Sequence, residues 1–68
     1  MSKFLVGYDI RKKNSYAKLY RALGGFENCQ YVQQSLYLVS TYSTEAELTA
    51  KIRTALSPKD SLLIIKVK

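Results

Sequence analysis

Apolar positions along the chain recur in two ways. Four stretches run or alternate as strands do, and two show a helical period, in the order strand, helix, strand, strand, helix, strand. The first strand covers roughly residues 3–10 and contains Phe4-Leu5-Val6-Gly7-Tyr8-Asp9-Ile10. Phe4, Val6, Tyr8 and Ile10 share one parity and suit packing under a helix; Leu5, Gly7 and Asp9 share the other. Asn14 or Ser15 is the expected N-cap of a helix running to about Leu23. Its stripe, Tyr16, Leu19, Tyr20 and Leu23, is expected to be buried, and Gly24-Gly25 ends it. Period two returns from Phe26 to about Thr41, as a weak strand (26–32) and a strong one at Leu36-Tyr37-Leu38-Val39. Gln33-Gln34-Ser35 between them lacks the Asn-Gly signature of a tight hairpin.

The second helix begins at Thr44, whose spacing to Glu47 forms a capping box, with Glu45 and Glu47 in the first turn where acids suit the helix dipole. Leu48, Ile52, Ala55 and Leu56 make its buried stripe. It stops before Pro58, because a residue preceding proline avoids the helical region. Ser57-Pro58-Lys59-Asp60 is a turn, and Ser61 to Lys68 is the last strand, with Leu63, Ile65 and Val67 opposite Leu62, Ile64 and Lys66. This order predicts one α+β domain over residues 1–68: a ferredoxin-like βαββαβ sandwich, a four-stranded antiparallel sheet with both helices on one face. The other face is expected to carry Leu5, Leu62, Ile64 and Tyr or Leu side chains of the third strand. An apolar patch of that kind calls for a cover. A second copy packed sheet against sheet is the simplest one, and it would bring Asp9 and its symmetry mate together.

Composition narrows the function. Sixty-eight residues hold one small core, near the lower limit for a fold that stands without a partner. No stretch approaches a membrane span, and the short N-terminal apolar run merges into a strand, unlike a signal peptide. The single cysteine, Cys29, cannot form an internal disulfide, which points to a reducing, cytoplasmic setting. The absence of histidine excludes imidazole acid–base catalysis and the commoner zinc sites. The net charge of +6 points to an anionic partner such as nucleic acid, or simply serves solubility.

The chemistry-bearing residues gather after the first strand. Asp9 closes an apolar run and needs a partner. Either it pairs with the loop and cations that follow, or it binds a divalent cation beside a phosphate-attracting loop. Arg11, Lys12 and Lys13 form that loop. Lys18 and Arg21, three apart on another face of the helix, bring five of the 11 cations within residues 11–21. These are phosphate contacts or a solvated helix face. Gln30, Gln33, Gln34 and Ser35 read nucleic acid or make an ordinary edge strand and turn. Tyr8, Tyr16 and Tyr20 are expected in the core, which leaves little room for base stacking.

Val6-Gly7-Tyr8-Asp9-Ile10, Gln34-Ser35-Leu36-Tyr37-Leu38-Val39 and Ser57-Pro58-Lys59-Asp60-Ser61-Leu62-Leu63-Ile64-Ile65 together resemble the CRISPR-associated protein 2 family and its VapD-like and SinR-like small relatives. The likeness covers nearly the whole chain, and the Tyr-Asp-Ile ending is its most specific piece. It implies a homodimer of ferredoxin-like halves in which the strand-end aspartates, Asp9 here, approach the dimer axis and can hold Mg²⁺ or Mn²⁺. It also implies either a metal-dependent nuclease, an endoribonuclease ahead of a DNA nuclease, or a non-catalytic nucleic-acid-binding or structural subunit, whether toxin-like or part of an adaptation complex. In the enzyme reading Asp9 is the catalytic metal ligand, Arg11, Lys12, Lys13 and Arg21 hold the backbone, and Ser35 with Tyr8 or Tyr37 adds hydrogen bonds. In the binding reading the same cations, with Lys18, meet phosphate. Family members commonly continue into a further strand or tail that helps lock the dimer; the 68 residues end at the fourth strand.

Overall fold

The computed structural model describes all 68 residues. β1 (Ser2–Asp9) leads through a basic loop into α1 (Asn14–Leu23). The hairpin of β2 (Asn28–Gln33) and β3 (Leu36–Thr41) follows, then α2 (Glu45–Arg53) and β4 (Ser61–Val67). The sheet order is β2-β3-β1-β4, with every pair antiparallel. This is the ferredoxin-like arrangement, with β1 central between the third and fourth strands.

Alternation in β1 builds the core. Phe4, Val6 and Tyr8 are buried and join Leu19, Leu23, Phe26, Val39, Leu48 and Ile52 in one cluster under the helices. Truncating a fully buried member such as Leu48 to Ala costs about 2–5 kcal/mol, from lost transfer energy plus the cavity left behind. At α2 the capping box forms as its spacing predicts: the Thr44 hydroxyl accepts from the Glu47 amide, and Glu47 accepts from the Thr44 amide.

Two expectations are corrected. First, α1 buries Ser15, Leu19 and Leu23, so its buried stripe is rotated by one residue from the expected one, and Tyr16 and Tyr20 are left exposed. The N-cap position is Lys13, in helical geometry and without a side-chain cap. Asn14 therefore lies within the helix, and Ser15 turns inward. Second, the two faces of β4 are exchanged. Opposite residues of an antiparallel pair share a face, and the register sets Val6 against Ile64 and Leu5 against Ile65. Leu62 and Ile64 thus pack on the core, while Leu63 (61% exposed), Ile65 (50%) and Val67 (37%) face out with Leu5. The register of β3 adds Leu36 and Leu38 to that open face and puts Tyr37 under the helices. The turn that the sequence left open is also decided: Gln33 pairs with Leu36, so Gln34-Ser35 is a two-residue hairpin turn. Its cost is a left-handed Ser35 (φ 63°), a conformation that favours Gly or Asn.

Candidate nucleic-acid interface

The loop that follows β1 is held from the far end of the chain. Asp60, buried in the turn before β4, accepts the Arg11 amide at 2.7 Å and the Lys12 amide at 3.3 Å on Oδ1, and the Ser57 amide at 2.8 Å on Oδ2. Burial alone would favour the neutral acid. Hydrogen bonds from the Ser15 hydroxyl and from the Ser57, Arg11 and Lys12 amides outweigh it and hold the carboxyl well below the usual aspartate range. Arg53 closes the other side, with Nη1 donating to the Asp60 carbonyl at 2.9 Å and Nη2 to the Ser57 carbonyl at 3.3 Å. The anion also stands close to the N-terminus of α1, where negative charge suits the helix dipole. Sequence reading treats residues 57–60 as a turn and misses this role. The one available signal was an acid directly before an apolar strand, the counterpart of Asp9, which closes one.

With their amides turned toward Asp60, Arg11, Lys12 and Lys13 project their side chains into solvent. Arg11 reaches Asp9 at 3.8 Å, but both side chains are about 70% exposed (72% and 68%), so the pair is worth little and leaves both groups free for another ligand. The sequence expectation that these three cations form one surface loop is met. Lys18 and Arg21 do not join them. They line a groove of about 540 Å³ between the helices, with Ala22, Thr54, Ala55 and a third cation, Lys51. Lys51 was not singled out from sequence; its Nζ also lies 4.7 Å from the centre of the Phe26 ring.

Asp9 ends β1 opposite Ser61, beside a cleft of about 270 Å³ lined by Gly7 to Asp9 and Ser61 to Leu63. Its parity is that of Leu5, so it belongs to the open face. Ser35 comes near as well, because its carbonyl accepts the Tyr8 amide at 3.1 Å. A resident divalent cation finds a thin ligand set here. No three carboxylates or thiols of one chain come together, and Mg²⁺ takes six oxygens in near-ideal octahedral geometry. Elsewhere, Asp60 is consumed by the loop, Glu27 by the Thr41 hydroxyl and the Tyr42 amide, and Glu47 by its capping box.

No helix is long and apolar enough to cross a membrane. The arrangement is a stiff, strongly basic loop at one end of a sheet whose far face is apolar and open. No curated relative matches the chain. A family model does, described as CRISPR associated protein Cas2, and it matches residues 1–68. Spanning the whole length, with the same strand order and strand-end aspartate that the sequence motifs pointed to, that match places the chain in the CRISPR-associated protein Cas2 family.

Proposed function

We propose that this Cas2-family chain works as a nucleic-acid-binding homodimer in the cytoplasm, its Arg11–Lys13 loop on phosphate and its open sheet face against a second copy. The carrying observation is the loop. Three exposed cations sit on a backbone that Asp60 holds by two amide hydrogen bonds, so the chain that carries them is in place before a ligand arrives. An anchored backbone loses less freedom on binding than a mobile one, and phosphate contacts from Lys and Arg are sufficient for sequence-independent affinity. Leu5, Leu36, Leu38, Leu63, Ile65 and Val67 supply the apolar face that a second copy would cover. The free thiol of Cys29 fits a reducing compartment.

One observation favours a second reading, metal-dependent cleavage of RNA or, less readily, DNA. Asp9 is an exposed carboxylate on the open-face parity, so sheet-to-sheet packing would let two copies of it share Mg²⁺ or Mn²⁺. Such an ion, when bound, supplies charge neutralisation at a phosphodiester and an activated water. This chain's own part would be to hold that ion through Asp9 and the phosphate through Arg11 and its neighbours.

Asp9→Asn tests both readings on one preparation. Nucleic-acid binding should persist or tighten, because an anion beside phosphate is gone. In the nuclease reading, Mn²⁺ binding followed by titration calorimetry and RNA cleavage in Mn²⁺ or Mg²⁺ should both fall by orders of magnitude. Cleavage equal to that of the unaltered protein would sink the metal role of Asp9. Failure of the unaltered protein to bind any nucleic acid would sink the proposal as a whole.

A further inference from the structure

Four tyrosines, two of which sequence reading sends to the core, form a row that runs out to the surface. Tyr16 and Tyr20, one turn apart on α1, have ring centres 6.2 Å apart; Tyr20 lies 6.2 Å from Tyr37 on β3, and Tyr37 lies 5.5 Å from Tyr31 on the edge strand β2. Tyr8 backs the row, 6.3 Å from Tyr37 with its ring nearly parallel. Packing satisfies Tyr8 and Tyr37. It does not account for the others, since Tyr16 (39% exposed), Tyr20 (47%) and Tyr31 (62%) remain open to solvent.

The charge around the row is one-sided. α1, β2 and β3, the elements that carry these four rings, contain no carboxylate, and residues 10–26 hold five cations and no acid. The row begins at Tyr16, three residues from Lys13, at the end of α1 where the Asp60-anchored loop lies. Tyrosine rings in a row, tilted against one another with centres 6.2, 6.2 and 5.5 Å apart, beside an anchored cationic loop suit a chain whose repeating unit is an apolar plane on an anionic backbone. A protein segment would leave the adjoining cations unmatched unless it were acidic as well.

We propose that Tyr16, Tyr20 and Tyr31 form a stacking surface for the unpaired bases of a single-stranded nucleic acid whose phosphates continue onto the Arg11–Lys13 loop. This rests on the nucleic-acid reading above and adds a second, charge-independent part to it. Each base stacked on an aromatic ring is worth a factor of about 5 to 150 in affinity. A paired duplex keeps its bases inside and gains nothing from the rings.

The test uses labelled oligo(dT) and a duplex of equal length, with fluorescence anisotropy over a salt series. The variant Tyr16→Gln/Tyr31→Thr keeps helix and strand propensity while removing two rings, and Tyr16→Phe/Tyr31→Phe keeps the rings without their hydroxyls. The expected result is a single-strand affinity at least tenfold lower in the first variant, with duplex affinity and salt slope unchanged, and near-parental single-strand affinity in the second. The protein has six tyrosines and no tryptophan, so oligo(dT) should also quench the tyrosine emission of the unaltered chain. Undiminished single-strand binding in the ring-deleted variant would overturn the proposal and reassign the exposed rings to a protein contact. Equal weakening of single strand and duplex would overturn it too. A parent that binds duplex but not oligo(dT) refutes the stacking surface alone; a parent that binds neither refutes the nucleic-acid reading with it.

Discussion

Replacing Arg11, Lys12 and Lys13 together by Ser strips three charges from the surface and leaves intact the amides that Asp60 holds. The fold should persist, because all three side chains are exposed and the one ion pair among them, Arg11 with Asp9 at 3.8 Å, is solvent-screened. Each phosphate contact on duplex DNA contributes about 0.9 to the slope of log affinity against log salt. Three lost contacts per loop therefore flatten that slope by about 2.7 units. Between 50 and 200 mM salt the loop accounts for a roughly 40-fold drop in the affinity of the unaltered protein, and the variant should lack that part of the drop. A dimer that lays both loops on one duplex shows twice the change in slope. Anisotropy titrations with one labelled duplex at several salt concentrations read both quantities, and a melting curve checks that the fold is unchanged. Parallel salt plots for the two proteins would refute the assignment, and the basic loop would then serve solubility alone.

Two further outcomes are expected. Ile65→Lys should convert a dimer of about 16 kDa, twice the 7.8 kDa chain, into monomers by light scattering. Covering the exposed half of Ile65 gains about 1 kcal/mol per copy, so the change costs at least ~30-fold in dimer affinity. Ile64→Lys should lower the melting temperature instead, since that side chain packs on the core; a monomeric unaltered protein would sink the interface. Asp60 carries a pH signature. Its folded carboxyl titrates below the ordinary value of 3.8, so its contribution to stability is complete above about pH 4 and is lost as pH falls below it. Asp60→Asn should be less stable at neutral pH and show a shallower loss between pH 4 and pH 2 in acid-unfolding curves. Glu27 and Glu47, both also lowered, leave some slope behind. Equal slopes would show that Asp60 does not hold the loop.

Element order and sheet topology were legible because β1 and the two helices carry clear periods and α2 carries its own start signal. Face assignment was less so. The parity sets of β4 are unambiguous, but both contain apolar residues, and only the pairing of Leu5 with Ile65 decides which set sees the core. Tyr16 and Tyr20 misled for a related reason. They share the helical spacing of Leu19 and Leu23, and the helix settles by a small rotation that buries Ser15 against Asp60 and leaves the rings out. The loop cations were visible as a run of charge. Asp60 was not, because nothing local in residues 57–60 reveals that their carboxylate will meet amides nearly fifty positions upstream. Lys51 was hidden similarly, since the cations it joins in the groove, Lys18 and Arg21, lie on the other helix.

The Asp60 anchor also sets an order of events in the making of the protein. The bond from the Arg11 amide closes a loop of 49 positions, and the carboxylate it needs stands at the head of the last strand, which is also the second neighbour of central β1. Long-range closures of this kind are slow to form compared with local contacts. A nascent chain still missing residues 57–68 has its basic run, its first helix and its hairpin, but nothing to fix the amides of Arg11 and Lys12. The basic loop takes its shape only once Asp60 and β4 are in place, so a chain that ends before residue 57 carries the same charges without that anchor. Completion of the fold and readiness to grip a ligand are then one event.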